Sequence, residues 1–457
     1  MSDSKSSEAE TNTNSGQRAK LESLEALTRF CLDQAMKQGA SAAEVGCSAD
    51  QGLSLTVRLG EVETIEHHRS QGLGVTVYYG QRKGSASTTD LSERALAETV
   101  SAACRIARHG AEDPCAGLPE AELLAKDIPE LDLYHPWALD AEQGIELALA
   151  CENAARSYSE AITNSEGASL NAFEGVRVLG NSLGFLHGYA SSRHSLSCSV
   201  IGESEGGMQR DDWWTVARDP AELEAAEAVG RKAAERTVRR LGAQGLSTRQ
   251  CPVLFAADVA SSLLGHLVAA IRGGNLYRKS SFLLDALGQR IFPAFVHIHE
   301  LPHLPRGLGS APYDAEGVAT RARDLVRNGV LESYVLSTYS ARKLGMQTTG
   351  NAGGVHNLIL DPGNEDFDTL VRRMGTGLIV TELLGQGVNI VTGDYSRGAA
   401  GYWVENGEIR FPVEEFTIAG NLRDMFGHIA AVGNDVDLRG NIRTGSILIE
   451  SMTVAGN

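Results

Sequence analysis

The chain has 457 residues, of which 42% are hydrophobic and 22% charged, and its formal net charge is −17. This apolar content supports a substantial core and excludes a globally disordered chain. The acidity excludes a protein that wraps nucleic acid or docks on anionic lipid, because both activities need a basic surface.

The first part of the chain is predicted to contain a tail, a helix and then a sheet. Residues 1–18 are polar, so we expect a disordered tail. The spacing of apolar residues predicts an amphipathic helix from Lys20 to Gln38. Alternating segments separated by glycine-containing turns then predict an antiparallel meander, over residues 43–49, 53–59, 62–68, 72–79 and 82–88.

Helices follow this sheet in the sequence. They are predicted over residues 91–109, 140–159 and 220–241, with strands at 176–179 and 185–200 between the last two. Helices segregated around an antiparallel sheet define an α+β domain, which we assign to residues 19–245. The segment 242–250 is predicted to be a linker.

The last part of the chain has a different composition. A strand over 251–256 and an apolar helix over 258–271 precede many short strand-like segments rich in glycine. The glycines do not follow the phosphate-binding G-x-G-x-x-G pattern. We therefore predict a β-rich domain of barrel or sandwich type over residues 246–457.

Charge and cysteines are both unevenly distributed. The first 245 residues carry a net charge of −14 and the remainder −3, which suggests two regions with different surfaces. All seven cysteines lie within the first 251 residues, widely spaced and without a C-x-x-C motif. This pattern is typical of a reducing compartment and not of a disulfide framework. With no apolar signal segment and no stretch approaching 18 apolar residues, we expect a cytoplasmic protein without a membrane partner.

One string resembles a zinc-protease motif. His299-Glu300-Leu301-Pro302-His303 matches H-E-x-x-H, in which two histidines on one helical face bind zinc and the glutamate is the general base. Pro302 opposes a helix here, because it would remove a backbone hydrogen bond and clash with the preceding turn. The sequence therefore favours a strand that ends in a proline turn, and leaves a zinc site at His299, Glu300 and His303 as an alternative.

Other polar residues are candidates for binding. His266 lies on the helix predicted over 258–271 and could be a core residue or a functional one. Asn275, Arg278 and Lys279 follow it and could bind a peptide carboxylate or an acidic partner surface, although loop solvation also explains them. The G-x-S-x-G string at 180–184 precedes a strand-like run, which favours a hairpin turn over a nucleophile elbow.

Whole phrases in the second half of the chain carry a family resemblance. Examples are Thr392–Gly401, Tyr339–Gly345, Gly350–Gly354 and Thr381–Gly387. On these phrases the chain resembles the TldD/PmbA family, and within it the PmbA (TldE) branch, over nearly its whole length beyond the tail. The resemblance implies an N-terminal α+β domain and a C-terminal domain rich in long, curved strands.

The resemblance also implies where a metal site would lie. The TldD-like partner in this family is a zinc peptidase with H-E-x-x-x-H on a helix and a cysteine ligand near the C-terminus. In this chain the first ligand position falls on Ser261, the general base on Ser262, the second histidine on His266 and the cysteine on Thr444. Zinc needs three protein ligands and an open position, so we expect no cofactor and no catalytic zinc in this chain.

The expected function is therefore that of a subunit. The resemblance implies a heteromeric zinc metallopeptidase in which a TldD-like partner supplies the zinc. It implies extended or unfolded peptides as substrates, including leader segments and antitoxins. Two alternatives stay open: a self-sufficient metallopeptidase using His299, Glu300 and His303, and a non-enzymatic peptide-binding homodimer.

Overall fold

The computed structural model describes residues 3–456, with side chains from Gly16 onward. Its N-terminal part combines one sheet with long helices. The elements are α1 (Asp3–Lys37), β1 (Ala42–Arg58), β2 (Glu61–Tyr79), β3 (Arg82–Thr88), α2 (Glu93–His109), α3 (Ala141–Arg156), β4 (Ile162–Asn181), β5 (Leu186–Ser204), β6 (Gly207–Ala217) and α4 (Ala226–Arg240).

Neighbouring strands of this sheet are all antiparallel, in the order β3-β2-β1-β4-β5-β6. Nearly all odd positions of β1, from Ala43 to Val57, are buried. They pack against α1 and α2 at one end of the strand and against α3 and α4 at the other. Because strand side chains alternate between faces, the even positions of β1 point away from the helices. One face of the sheet is therefore left free of helices.

The strands are fewer and longer than the sequence predicts. The predicted turn at Asp50-Gln51-Gly52 is wrong, because β1 runs through it and pairs there with both β2 and β4. Gly52 serves a close approach instead: a Cβ atom at this position would lie 2.3 Å from the ring of Phe173 on β4. Backbone hydrogen bonds on both sides of the strand outweigh the local turn composition.

Helix boundaries also differ from the prediction. Helical backbone covers residues 3–18, where the sequence predicts a disordered tail, and residues 1 and 2 lie outside the described part of the chain. No proline occurs in this stretch to stop the helix. The helix predicted over 220–241 is a 3-10 turn at Pro220–Glu222 followed by α4. Strand β6 is not predicted because its 209–212 segment is polar and acidic.

The C-terminal part is rich in strands. Its elements are β7 (Arg249–Phe255), α5 (Ala257–Ile271), α6 (Gly273–Tyr277), β8 (Ile298–Glu300), β9 (Arg323–Arg327), β10 (Val330–Leu331), α7 (Thr338–Lys343), β11 (Leu358–Leu360), α8 (Phe367–Met374), β12 (Gly377–Leu384), β13 (Asp394–Glu405), β14 (Glu408–Asn421), α9 (Leu422–Gly427), β15 (Ile429–Val432), β16 (Ile442–Arg443) and β17 (Ile447–Ala455).

Five of these strands form a closed barrel. The order is β14-β13-β12-β7-β17, and β14 pairs again with β17 to close the ring. A second sheet has the order β10-β9-β8-β11-β16. The apolar side of α5, including Leu263 and Leu267, is buried in the same core as the barrel side chains. The predicted α+β class with a barrel-type C-terminal part is confirmed.

Polar contacts join the two parts of the chain. Arg218 of the N-terminal part donates to the carbonyls of Gly307 and Leu308, at 3.2 and 3.0 Å. The Tyr339 hydroxyl donates to the Asp113 carboxylate at 2.6 Å. Within residues 3–456, no helix is both long enough and apolar enough to cross a membrane.

Candidate functional site

The residues at the metal-ligand positions lie on and beside α5. The Ser262 hydroxyl donates to the Val259 carbonyl at 2.7 Å, and the Ser261 hydroxyl to the Asp258 carbonyl at 3.4 Å. Both hydroxyls are therefore turned back onto their own helix. Thr444 follows β16, which packs against α5, and its buried hydroxyl donates to the Gly445 carbonyl at 2.9 Å.

His266 is the one imidazole among these positions. Its ring meets the ring of the buried Tyr395 edge-on, at a centroid distance of 6.0 Å. Burial lowers the pKa of His266, and the neighbouring Arg397 guanidinium lowers it further. The Nε2 atom is buried and has no hydrogen-bond partner among the described residues. His266 is thus a neutral, largely enclosed side chain.

This donor set does not fit zinc. Protein zinc sites use thiolate, imidazole and carboxylate donors, and three neutral hydroxyls are not among them. Within residues 3–456, no group of three His, Cys, Asp or Glu side chains is arranged to hold a metal ion. A single imidazole supplies one of the three protein ligands that a catalytic zinc requires.

A charged pocket of about 300 Å³ lies beside Ser262. In its wall the buried Asp211 of β6 pairs with two arginines of α4. The Asp211 carboxylate lies 3.0 Å from Arg236 Nε and 3.4 Å from an Arg240 guanidinium nitrogen. Sequence reasoning misses this cluster, because residues from β6 and α4 give no local signal of their contact.

The same arginines reach across to the C-terminal part. Arg236 pairs with Asp258 at the start of α5, at 3.0 Å, and Arg240 pairs with Glu382 of β12, at 2.5 Å. Burial raises the pKa of Asp258, and Arg236 opposes this shift. The pocket beside Ser262 is therefore lined by an ion-pair network that links both parts of the chain.

The alternative zinc motif is not assembled in this structure. His299 and Glu300 are successive residues of β8 and point to opposite faces. His299 Nδ1 lies 3.2 Å from an Asp361 oxygen, and His303 Nε2 lies 2.9 Å from the Thr320 hydroxyl. The prediction of a strand that ends in a turn is confirmed, and the helical face that an H-E-x-x-H site needs is absent from this segment.

Glu300 has a structural environment instead. Its side chain is 1% exposed, and one carboxylate oxygen lies 2.9 Å from Arg323 Nε. The carboxylate also accepts from Asn351 Nδ2 at 2.9 Å and from the His356 backbone N–H at 2.6 Å. The partners come from β9 and from the loop that precedes β11, so Glu300 joins this loop to the interior of the second sheet.

The binding candidates after α5 divide into one structural residue and two exposed cations. The Asn275 amide donates to the Ala269 carbonyl at 2.8 Å and so fixes the junction of α5 and α6. Arg278 lies over the Tyr277 ring at 5.3 Å, and Lys279 is exposed in a left-handed backbone conformation with φ of 56°. Arg278 and Lys279 thus remain candidates for binding an acidic surface.

The G-x-S-x-G string forms the predicted hairpin turn. It connects β4 to β5, and Gly184 has a φ of 94°. The Ser182 hydroxyl accepts a hydrogen bond from the Ala43 backbone N–H at 3.0 Å. Ser182 therefore serves the turn, and no helix follows it as a nucleophile elbow requires.

A cavity of about 990 Å³ lies between the helix-free face of the sheet and two loops of the C-terminal part. Strands β1 to β5 form its floor, and residues 311–315 and 352–356 form its roof. Asp314 ties the roof together, because its carboxylate accepts the backbone N–H groups of Val318 and Ala352 at 2.9 Å. We call this space the interdomain cleft.

Asp314, which lines the interdomain cleft, and the partly buried Glu44 on β1 both have raised pKa values. Burial raises the pKa of Asp314 to about 7 despite its backbone hydrogen bonds. Burial likewise raises the pKa of Glu44 on β1 to about 7, with Glu316 and Asp314 adding to the shift and Lys83 opposing it. Both carboxyls therefore keep their protons to a higher pH in the folded chain than they would in the unfolded chain.

Replacing Glu44 with glutamine is expected to flatten the pH dependence of stability. The pKa of Glu44 is higher in the folded chain than in the unfolded chain. Its stabilising contribution to folding is therefore fully present below about pH 4.5 and is lost as the pH rises through 7. At pH 8.5 the free energy of unfolding of the variant should exceed that of the parent by roughly 1–3 kcal/mol. At pH 5 the two values should be close. Urea unfolding at both pH values measures this, with exposed Glu61→Gln as control. Equal gains at both pH values would contradict the assignment.

The chain combines an antiparallel α+β part with a C-terminal part built on a closed five-stranded barrel, and it places hydroxyls and one imidazole at the α5 positions. Family models match in three segments: PmbA/TldA metallopeptidase domain 1 over residues 43–107, the central domain over 134–241 and the C-terminal domain over 248–456. The chain belongs to the PmbA/TldD metallopeptidase family, in its PmbA (TldE) branch.

Similar proteins extend over nearly the whole chain. Metalloprotease PmbA of Escherichia coli O157:H7 is 53% identical over 414 residues, covering 91% of this chain and 92% of that protein. The Haemophilus influenzae PmbA homolog is 50% identical over 441 residues, covering 96% and 98%.

Solved structures share the fold. A Bacteroides thetaiotaomicron protein described as a candidate modulator of DNA gyrase has a TM-score of 0.90 at 29% identity, covering 94% of this chain and 98% of its own. TldE from Thermococcus kodakarensis has a TM-score of 0.84 at 19% identity, covering 94% and 100%.

Proposed function

We propose that this chain is the non-catalytic subunit of a heteromeric zinc metallopeptidase, and that a TldD-like partner supplies the zinc and the general base. One observation carries the proposal: the Ser261 and Ser262 hydroxyls bond back to α5, where a histidine ligand and a glutamate base would stand. A serine hydroxyl does not replace a carboxylate base, because its pKa is far from neutral.

The proposed substrates are extended or unfolded peptides, such as leader segments and antitoxins. Membership of a metallopeptidase family supports this class of substrate. We place the heteromer in the cytoplasm, since all seven cysteines are free thiols and six of them are buried.

Co-purification with a TldD-like protein tests the proposal. The heteromer is expected to contain about one zinc ion and to cleave an unfolded casein probe, whereas this chain alone should contain no stoichiometric zinc and cleave nothing. Because His266 is a lone imidazole, His266→Ala should leave the zinc content of the heteromer unchanged. Elemental analysis and a peptidase assay give both results.

Two outcomes would contradict the proposal. Stoichiometric zinc together with cleavage by this chain alone would establish a self-sufficient peptidase. Failure to form a heteromer, with no stimulation of cleavage, would favour the peptide-binding homodimer.

A further inference from the structure

The interdomain cleft is separate from the ion-pair network beside Ser262 and from the α5 site, and it shares no lining residue with the pocket there. Its floor crosses β3, β2, β1, β4 and β5, which are consecutive neighbours in the sheet. At about 4.8 Å between strands, the floor is roughly 19 Å long. A fully extended chain rises about 3.3 Å per residue, so roughly six residues would span it.

The cleft floor contains one arginine that has no partner among the described residues. Arg177 of β4 lines the cleft, is exposed, and makes no ion pair or side-chain hydrogen bond with any described residue. Tyr189 of the neighbouring strand β5 and Tyr313 of the roof also line the cleft, and their rings meet edge-on at a centroid distance of 5.7 Å. The Tyr313 hydroxyl donates to the His187 carbonyl at 2.8 Å, so its ring is fixed in place. A rigid aromatic wall beside a free guanidinium suits a carboxylate-bearing ligand.

The cleft floor contains three glycines on β1 and β2 at positions where the packing of the protein would also accept a larger residue. Gly46 of β1 pairs directly with Gly74 of β2, and Gly72 lies two residues away. A Cβ atom on Gly46 or Gly74 would meet nothing within 4 Å, and one on Gly72 would make only an ordinary contact at 3.7 Å. None of the three has a positive φ.

These glycines therefore have a cost without a structural benefit. Glycine weakens a strand interior, because it loses more backbone entropy and packs no side chain. Neither backbone conformation nor close approach demands it at Gly46 and Gly74. Their effect is to keep the cleft floor flat and accessible, with the Ser48 and Ser87 hydroxyls beside them.

We infer that the interdomain cleft binds an extended peptide segment, with an acidic residue of that peptide paired to Arg177. A single cation is too few for a polyphosphate. The floor combines glycine and serine positions, which leave room for a peptide backbone, with Leu179 and Tyr189, which can contact peptide side chains. The inference rests on the proposed function for its substrate class, and adds that this subunit itself holds the peptide.

Direct binding to the purified full chain tests the inference. The probe is a fluorescein-labelled ten-residue peptide of alanine, serine and glycine with one central glutamate and an amidated C-terminus, and its twin has lysine instead. By fluorescence anisotropy at low salt, the glutamate peptide should bind about fivefold more tightly than the lysine peptide. Arg177→Gln should remove this preference without unfolding the chain.

A second variant adds a side chain to the cleft floor and tests the inference more sharply than Arg177→Gln does. Gly74→Val should weaken binding of the glutamate peptide at least about tenfold while leaving the unfolding temperature equal or higher, because valine suits a strand. Gly245→Val, in the exposed linker where a Cβ also meets nothing within 4 Å, is the matched control and should bind as the parent does.

The outcomes separate this inference from the proposed function. No binding by the parent chain, or unchanged binding by folded Gly74→Val, overturns the peptide site even if the heteromer cleaves its substrates. Equal affinity of the parent for both peptides overturns the role of Arg177. Failure to form a heteromer, with peptide binding that Gly74→Val removes, leaves the cleft site standing and overturns the subunit assignment.

Discussion

Replacing Glu300 with alanine is expected to lower the free energy of unfolding by about 3–5 kcal/mol, the range for removing one partner of a buried ion pair. Glu300 is 1% exposed and its partner Arg323 has a side chain 11% exposed. Without the carboxylate, the guanidinium would remain in the interior with only polar partners. The Asn351 amide and the His356 backbone N–H would lose their acceptor as well.

Chemical denaturation followed by circular dichroism measures this loss. The matched control is His299→Ala on the same strand, which removes a contact with the 45%-exposed Asp361 side chain and should cost at most about 1 kcal/mol. The two variants together also test whether the H-E-x-x-H string has a structural or a catalytic role. If the Glu300→Ala chain were as stable as the parent but its heteromer no longer cleaved peptides, Glu300 would be a catalytic residue. That result would contradict its structural assignment.

Replacing Asp211 with alanine is expected to lower the free energy of unfolding by about 3 kcal/mol, because the buried Arg240 and the partly buried Arg236 would lose their shared counter-charge. The Asp211 side chain is 8% exposed and contacts both Arg236 and Arg240. The same arginines pair with Asp258 and Glu382 of the C-terminal part. The variant should therefore loosen the junction of the two parts as well as lower stability.

Hydrogen exchange and thermal unfolding together measure this effect. Amide protection should fall in α4, in the first turn of α5 and in β12, with little change in the distant strand β3. Glu166→Ala is the matched control, because Glu166 pairs with Arg210 at the pocket rim with both side chains over 40% exposed. Two results for Asp211→Ala would show that the network does not join the two parts. One is a change in the free energy of unfolding of less than about 1 kcal/mol, and the other is a loss of amide protection confined to β6.

The sequence supports part of the candidate site. Ser261, Ser262 and Thr444 are readable as hydroxyl residues, and hydroxyls cannot replace zinc ligands wherever the chain places them. Pro302 likewise opposes a helix at His299–His303, because its ring excludes the backbone hydrogen bond in any context. The argument from Pro302 needs only residue chemistry, whereas the family resemblance is what assigns Ser261, Ser262 and Thr444 to ligand positions.

Other features depend on contacts between distant segments. The pairing of Asp211 with Arg236 and Arg240, and the floor formed by Gly46 and Gly74, have no local pattern from which they could be read. The turn expected at Asp50-Gln51-Gly52 fails for the same reason, because partner strands decide the local conformation.

By itself, then, the sequence determines the α+β class and the strand at His299, since these follow from periodicity and side-chain chemistry, whereas the ligand positions on α5 are assigned by the family resemblance. The tertiary structure alone decides that β1 and β2 are continuous, that Glu300 pairs with Arg323 inside the second sheet, and that an interdomain cleft remains open above Gly46 and Gly74. The physical reason is that burial and ion pairing depend on which distant segments meet, and local periodicity does not specify those meetings.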